Sequence, residues 1–320
     1  MKKRILVVCM ALFAITTLYA YDFQKGSFFY NIIGENEVEL TYSATQRYSG
    51  ECFIPAVVFY DGIKYLVVRI GESAFSLSNV TSVTIPNTIT SIGSAAFSVC
   101  LSLTSLSIPN SVTSIGYNAF YDCTHLRTIT IPNNITSIGN GTFYGCSDLL
   151  SISIPNSVTS IGDAAFALCG LQKIVLPSTL KSIGKGAFCR CDNLVSVSIP
   201  RSIVRIELGT FSRCANLKSV NFPNTLTEIG MNAFFECPSL VSVNIPTSVR
   251  VIENNAFRGC SSLTSVNLPN NYCILGKYVF ADCGNLVSVN LECRTNLGIS
   301  VFSGIPWFRE NNSMIYYTDE

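Results

Sequence analysis

Short stretches in which apolar and polar residues alternate recur along most of the chain, each followed by a proline. In one of them Leu106 and Ile108 alternate with Ser105 and Ser107, which predicts a strand with one buried and one exposed face. The next residue, Pro109, lacks the amide hydrogen that would extend a β-ladder, so the strand should end there. The pattern therefore predicts many short strands, each half-buried.

The residues between one strand and the next also follow a fixed order. Val112 and Ile115 are expected to face the core after a turn, and Gly116 to permit a backbone bend that a side chain would hinder. A short turn of helix or 3₁₀ structure should follow, with Phe120 and Cys123 on its inward face.

This order repeats every 22 or 23 residues, as three independent markers show: an apolar residue followed by Pro, an Ile-Gly pair, and a Phe usually preceded by Ala. The prolines are Pro86, Pro109, Pro132, Pro155, Pro177, Pro200, Pro223, Pro246 and Pro269. The phenylalanines are Phe75, Phe97, Phe120, Phe143, Phe166, Phe188, Phe211, Phe234, Phe257, Phe280 and Phe302. Such a period is typical of leucine-rich repeat solenoids, in which each unit buries its apolar face against its neighbours.

The repeat resembles the BspA-type leucine-rich repeats of bacterial surface proteins, with a pattern like L-x-x-I-x-I-P-x-x-V-x-x-I-G-x-x-A-F-x-x-C over about Ile54 to Phe302. The hairpin sequence around Asp61-Gly62 is similar to an insertion in that family's first unit. The resemblance implies a curved solenoid exported to the cell surface. It also implies binding to extracellular-matrix glycoproteins or aggregation with other cells, and it supplies no catalytic residues.

The fold class expected from the sequence is α/β: a β-rich leucine-rich repeat solenoid of about eleven stacked coils over residues 54–302. Residues 21–53 are expected to form an N-terminal cap of short strands, and residues 303–320 a short C-terminal cap. Some units depart from the pattern, since Glu207 and Glu253 replace the repeat Gly and Ser78 replaces the repeat Cys. These departures are expected to alter the local shape of a coil and to leave the fold unchanged.

Residues 1–20 have the features of an export signal. A basic start, Lys2 to Arg4, precedes the apolar run Ile5 to Ala14, and Ala20 offers a small residue at a cleavage point. No later apolar stretch is long enough to span a bilayer as a helix. A secreted or cell-surface protein with no membrane span in the mature chain is therefore expected.

The composition excludes several classes of function. The 13% of charged residues and 48% of hydrophobic residues argue against a disordered chain, and a net charge of +1 provides no field to attract nucleic acid. The single histidine, His125, rules out a histidine-rich metal site. An enzymatic function is the remote alternative to a non-enzymatic one, and carboxylates that converge in a pocket would favour it.

Nine of the 14 cysteines form one column, three residues after the repeat Phe. They are Cys100, Cys123, Cys146, Cys169, Cys191, Cys214, Cys237, Cys260 and Cys283. A disulfide framework or a metal array would be the functional interpretation, but stacked cysteines share one side-chain direction, and a linear column does not converge on a zinc ion. Buried thiols that behave as small hydrophobic groups are the favoured interpretation. Cys52, Cys189, Cys273 and Cys293 lie off the column, and their redox state stays open.

The outward-facing strand positions predict two long polar rows. The serine row is Ser82, Ser105, Thr128, Ser151, Lys173, Ser196, Ser219, Ser242, Ser265 and Ser288. The asparagine row is Thr84, Ser107, Thr130, Ser153, Val175, Ser198, Asn221, Asn244, Asn267 and Asn290. Arg127, Lys173 and Lys218, together with the four asparagines, are candidate contacts for a partner, although the rows could serve only to solvate the sheet.

Stacking should also bring together basic residues from three consecutive coils. They are Lys181, Lys185, Arg190, Arg201, Arg205 and Arg213. An anionic glycan or an acidic loop could bind such a patch, and its alternative role is to solubilise an almost uncharged solenoid.

The sequence as a whole predicts an exported, non-enzymatic repeat protein without cofactor or metal. Its partner is expected to be a protein or glycoprotein of the extracellular matrix or of a neighbouring cell. A structural or self-associating surface component without a specific ligand is the alternative.

Overall fold

A computed structural model describes residues 21–268, 273–291, 296–297, 300–305 and 316–317. The expected signal segment 1–20, most of the expected C-terminal cap 303–320 and Cys293 lie outside these residues. The described repeats form a solenoid of parallel strands and turns, and the described residues contain no helix. About nine turns, fewer than the eleven expected, carry the complete marker set of Pro, Phe and Cys, because Phe75 and Phe302 belong to incomplete units at either end.

Six strands, numbered in chain order, precede the regular repeats. They are β1 (Phe23–Lys25), β2 (Phe28–Gly34), β3 (Glu37–Thr41), β4 (Ser49–Phe53), β5 (Val57–Tyr60) and β6 (Ile63–Ile70). β1, β2 and β3 pair antiparallel, and β3 then pairs with β6 in parallel. β5 and β6 form the hairpin expected at Asp61-Gly62, where both turn residues have positive φ.

Most of the described repeats contribute a strand to a first parallel ladder. These strands are β7 (Asn79–Thr84), β9 (Ser105–Ser107), β11 (Thr128–Thr130), β15 (Ser196–Ser198), β17 (Ser219–Asn221), β19 (Ser242–Asn244), β21 (Ser265–Leu268), β23 (Ser288–Leu291) and β25 (Tyr316–Tyr317). β4 pairs with β7 at the start of this ladder, and an isolated bridge joins Ser153 to Val175. The alternation of buried and exposed residues in β9 and β11 confirms the predicted strand pattern.

The Ile-Gly pairs form a second parallel ladder of two-residue strands. They are β8 (Ser91–Ile92), β10 (Ser114–Ile115), β12 (Ser137–Ile138), β13 (Ser160–Ile161), β14 (Ser182–Ile183), β16 (Arg205–Ile206), β18 (Glu228–Ile229), β20 (Val251–Ile252), β22 (Ile274–Leu275) and β24 (Asn296–Leu297). This ladder continues from β6, whose Ile70 pairs with Ile92. Equivalent residues of successive repeats therefore lie directly above one another, as the 22- or 23-residue period predicts.

The prediction of a helical or 3₁₀ turn around each Phe is wrong. Consecutive β-turns occupy this side of the coil in the described repeats. The amide of Phe120 donates to Thr142 O (2.9 Å) and that of Asp122 to Tyr144 O (2.7 Å), both in the next turn of the solenoid. A helix would need these amides for bonds within the segment. The segment thus acts as a third set of links between turns.

Two left-handed residues in each unit produce this conformation. They lie two positions before and two positions after the Phe, as Asn118 (φ 55°) and Asp122 (φ 52°) do around Phe120. The equivalent positions around Phe143 are Gly141 and Gly145, for which a positive φ carries no side-chain penalty. A helix cannot continue through residues of opposite hand.

The repeat glycine has a different role from the bend predicted for it. Gly116 does not have a positive φ; instead, a Cβ placed on it would clash with the amide nitrogen of Ser94 in the preceding turn. Cβ atoms on Gly93, Gly184 and Gly276 would likewise meet backbone atoms of the preceding turn at 2.5–2.6 Å. Glycine therefore allows adjacent turns to approach closely.

The core is one continuous stack through the solenoid. The eleven repeat phenylalanines, from Phe75 to Phe302, form a column with ring centroids 4.9–5.9 Å apart and planes within 12° of parallel. All are buried. Tyr48 extends this column at the N-terminal end, where its ring lies 4.7 Å from that of Phe75. The predicted inward Phe column is confirmed.

Candidate partner-binding surfaces

The exposed face of the first ladder carries the two polar rows in register. Ser105 pairs with Thr128 in the serine row, and Ser107 pairs with Thr130 in the asparagine row. The four side chains are exposed, whereas Leu106 and Ile129 between them are buried. The sheet therefore presents hydroxyl and amide groups to solvent at steps of about 4.8 Å.

The asparagines expected to contact a partner fall in one line. Asn221 is the first of them and pairs with Ser198 of the preceding turn. Asn244, Asn267 and Asn290 pair in succession in the turns that follow. The side chains of Asn221, Asn244 and Asn267 are exposed, and that of Asn290 lies outside the described part of the structure. These amides therefore form a line along the sheet.

Two of the three cations expected on this face are free of ion pairs. Lys173 and Lys218 are exposed, and neither forms an ion pair with another described residue. The Nε atom of Arg127 lies 3.8 Å from a carboxylate oxygen of Asp148, with the arginine side chain 70% exposed. Such an exposed pair contributes little to stability, so all three cations are accessible.

Sequence analysis placed Val175 in the asparagine row, but four exposed apolar residues just before the serine row were missed in the sequence. Val175 in the asparagine row is 78% exposed, and Val287, just before the serine row, is 68% exposed. Leu150, Val195 and Val241 occupy the same position as Val287 in other repeats and are also exposed. Their regular place immediately before each strand was the signal that could have identified them.

The basic residues expected to form one patch belong to three different segments of the coil. Lys181 and Arg205 lie at the second ladder, and Arg201 follows a proline. Arg190 and Arg213 lie in the β-turns around the repeat Phe of two successive units. The amide of Arg190 donates to Ser212 O (2.8 Å), next to Arg213, which agrees with the predicted adjacency of the two arginines. Lys185 lies at the start of the β-turns around the repeat Phe of its own unit.

Carboxylates accompany two of these arginines. Arg213 Nε lies 3.0 Å from Glu236, and its guanidinium lies 5.7 Å from the centre of the Phe235 ring. Arg205 contacts three carboxylates: Glu207 at 3.4 Å, Glu228 at 3.0 Å and Glu253 at 3.2 Å. Arg205 and Arg213 are therefore not free cations.

The cluster around Arg205 explains the two glutamates that depart from the repeat. Glu207 and Glu253 replace glycine, and both carboxylates reach Arg205 from different turns. Burial, and then a hydrogen bond with Glu253, raises the pKa of the Glu228 carboxyl. The cluster links three consecutive turns of the solenoid. It was not predicted from the sequence because Arg205 lies 23 residues from Glu228 and 48 residues from Glu253, and these charges meet only when the turns stack.

The nine column cysteines are buried, which confirms their interpretation as interior thiols. Each thiol donates to the carbonyl oxygen of the Phe in the preceding turn, over 2.8–3.3 Å. Burial raises the pKa of the Cys237 and Cys283 thiols to about 12. Of the cysteines off the column, Cys52 and Cys273 are buried, and Cys189 is half-buried.

The described residues contain no group of three His, Cys, Asp or Glu side chains placed to hold a metal ion. His125 Nδ1 lies 2.8 Å from Leu101 O at the surface. Among residues 21–305 as far as they are described, no helix is long and apolar enough to cross a membrane.

Comparison with solved structures finds several bacterial repeat proteins similar to this chain. A leucine rich cell surface protein from Faecalibacterium prausnitzii A2-165 has 26% identity and a TM-score of 0.46, with 83% of this chain and 93% of that chain covered. A leucine-rich repeat protein from Bacteroides ovatus ATCC 8483 has 27% identity and a TM-score of 0.49, with 89% and 92% covered. The pneumococcal vaccine antigen PcpA has 17% identity and a TM-score of 0.52, with 87% and 98% covered, and this likeness concerns the fold alone.

Comparison with curated proteins found no match. A family profile described as BspA type leucine rich repeat region matches six copies over residues 68–195 and 181–306. These stretches run without a gap through the solenoid and include its Phe, Cys and Ile-Gly columns. The chain belongs to the BspA-type leucine-rich repeat family.

Proposed function

We propose that this protein is an exported, non-enzymatic binding protein of the cell surface, and that the exposed face of its first ladder holds a protein partner. The partner is a protein or glycoprotein of the extracellular matrix or of a neighbouring cell. This proposal rests on the family, on the export signal expected at residues 1–20, and on the composition of the exposed face.

The observation that carries the proposal is the mixture of groups on one continuous surface. Exposed hydroxyl and amide side chains lie in register beside Val175, which is 78% exposed, and beside the unpaired Lys173 and Lys218. Protein interfaces combine apolar area, hydrogen-bonding groups and a few charges in this way. Val175 thus adds exposed apolar area to a face that otherwise carries polar groups.

A binding measurement with charge reversals tests the proposal. Purified protein is passed over immobilised matrix glycoproteins, and Lys173→Glu and Lys218→Glu are compared with Lys277→Glu, an equal charge change outside the first ladder. We expect each of the first two changes to weaken binding about tenfold, which corresponds to about 1.4 kcal/mol, and the third to have little effect. No binding across the panel, or equal loss in all three variants, would contradict the proposal.

Self-association is a second candidate function, favoured by the N-terminal end of the first ladder. β4 pairs only with β7 in the described sheet, and Phe53 on β4 is 66% exposed. An edge strand of this kind can pair with another chain. Concentration-dependent sedimentation that Phe53→Lys abolishes would support it, whereas a monomer at all concentrations would exclude it.

A further inference from the structure

A groove of about 500 Å³ lies on the second ladder, away from the polar rows described above. Its floor and walls come from three successive strands, β12, β13 and β14, with the residues that follow them. Tyr117 lies at one end, and Glu207 at the other.

The groove exists because three consecutive turns carry the repeat glycine, which projects no side chain. These residues are Gly139, Gly162 and Gly184. The Tyr117 ring closes one end, since a Cβ placed on Gly139 would lie 2.8 Å from Tyr117 Cδ1. The next glycine is replaced by Glu207, whose side chain closes the other end.

Side-chain hydroxyls are the free hydrogen-bonding groups of this groove. Ser137, Ser160 and Ser182 line it in register, one on each turn, and their hydroxyls form no hydrogen bond with another described residue. Successive hydroxyls therefore offer donors and acceptors at steps of about 4.8 Å.

The main-chain amides of the groove are already used. Gly162 N donates to Ile138 O and Gly184 N to Ile161 O, each over 2.8 Å. Lys185 N donates to Asp163 Oδ1 over 2.7 Å. An extended peptide that binds by adding a strand needs free main-chain groups, so this groove does not favour a peptide.

The charged side chains that line the groove are Asp163, Lys185 and Glu207, which leaves one carboxylate in excess. Arg205 pairs with Glu207 at 3.4 Å but is shared with Glu228 and Glu253. An anionic ligand would be repelled there, and a single excess carboxylate does not select a polycation. Tyr117 is 61% exposed and offers an aromatic face for apolar contact at the end of the polar floor.

We propose that this groove binds a neutral, extended oligosaccharide, with the sugar hydroxyls bonded to Ser137, Ser160 and Ser182 and one sugar ring packed on Tyr117. A polymer with repeating hydroxyl groups fits repeating serines, and a neutral one fits a lining with few charges and one excess carboxylate. The proposal is independent of the protein partner proposed for the first ladder.

Calorimetric titration of the purified protein with neutral hexasaccharides of glucose, mannose and N-acetylglucosamine tests this proposal. A heparin hexasaccharide and an uncharged octapeptide serve as comparison probes. We expect at least one neutral hexasaccharide to bind, its disaccharide to bind more weakly because it spans fewer turns, and neither comparison probe to bind. Failure of every neutral hexasaccharide, or preference for heparin or for the peptide, would overturn the proposal.

Substitutions locate the binding. Tyr117→Ala should weaken binding of the neutral hexasaccharide about tenfold because the ring contact is lost, and Ser160→Ala about threefold because one hydroxyl is lost. Lys277 and Ser114 occupy the repeat positions of Tyr117 and Ser160 in turns that do not line the groove. The variants Lys277→Ala and Ser114→Ala should therefore bind the hexasaccharide as the unmodified protein does. Circular dichroism verifies that each variant is folded.

Hexasaccharide binding that is unchanged in both groove variants would place the sugar elsewhere and overturn the assignment. Lys218→Glu should weaken only the binding of a protein partner, so the two proposals fail separately.

Discussion

The Cys123 thiol donates a hydrogen bond to the carbonyl oxygen of Phe97, one turn before it in the solenoid, over 3.0 Å. The same oxygen accepts the amide of Cys100 over 3.2 Å within its own turn. Equivalent thiols repeat this bond along the column, so cysteine joins neighbouring turns through a buried carbonyl that would otherwise keep one acceptor position unused.

Loss of one such thiol from the middle of the column should destabilise the solenoid. Cys169 is fully interior and donates to Phe143 O over 2.8 Å, so Cys169→Ala removes a buried bond and leaves a small cavity. We expect a loss of about 1–2 kcal/mol in the free energy of unfolding, measured by urea denaturation. Cys189→Ala, at a half-buried cysteine off the column, should change it by less than about 0.5 kcal/mol, and equal losses in the two variants would contradict the role of the thiol bond.

The thiol column should make the fold sensitive to alkaline pH. Burial raises the pKa of Cys237 and Cys283 to about 12, whereas a thiol in the unfolded chain ionises at about pH 8.5. Between these values the unfolded state loses protons that the folded state keeps, so stability falls as pH rises above about 8.5. Urea midpoints at increasing pH, under reducing conditions, should decline less steeply for Cys237→Ala, and a midpoint independent of pH would refute the prediction.

The close approach of adjacent turns predicts a large effect of Gly116→Ala. The added Cβ would clash with Ser94 N, a backbone atom that cannot move aside without shifting the preceding turn. We expect a loss of about 1–3 kcal/mol in the free energy of unfolding. Gly284→Ala is the matched control, because a Cβ there has no neighbour within 4 Å and its φ is not positive, and similar losses in both variants would disprove the explanation.

The arginine at the centre of three carboxylates should matter more than an arginine in a single pair. Arg205→Ala leaves Glu207, Glu228 and Glu253 without their cation, and we expect a loss of about 1 kcal/mol in the free energy of unfolding at pH 7. Burial raises the pKa of the Glu228 carboxyl, so this group takes up a proton earlier than an ordinary glutamate as pH falls, and the loss should shrink as the solution becomes more acidic. Arg258→Ala, which breaks one pair with Asp282, is the control, and an equal effect of both changes at pH 7 would argue against the cluster.

The end of the aromatic column depends on a hydroxyl as well as a ring. Tyr48 OH accepts the Phe29 amide (3.2 Å) and donates to Thr41 O (2.5 Å) in a buried position. Tyr48→Phe keeps the ring on Phe75 but leaves both groups unpaired, so we expect a loss of about 1–3 kcal/mol. Thermal unfolding measures this loss of stability. Tyr121→Phe, at a partly exposed tyrosine, is the control and should have little effect. An unchanged melting temperature for Tyr48→Phe would show that the ring alone connects the N-terminal strands to the Phe column.

The sequence alone determined the repeat period, the strand faces and the interior columns. Phe97, Phe120 and Phe143 recur at constant spacing, and stacked turns must place equivalent residues above one another if each is to cover the apolar face of the next. The polar rows followed for the same reason, since alternate strand residues point to opposite faces.

The tertiary structure decided what depends on distances between turns. Gly116 faces the backbone of Ser94, Glu253 reaches Arg205 two turns away, and Tyr117 closes a groove over Gly139. The expected helical turn is absent from the described repeats because its amides bond to the next turn, a competition that no single repeat reveals. Periodicity specifies which residues are stacked, but the separation and lateral offset of the turns determine which side chains meet.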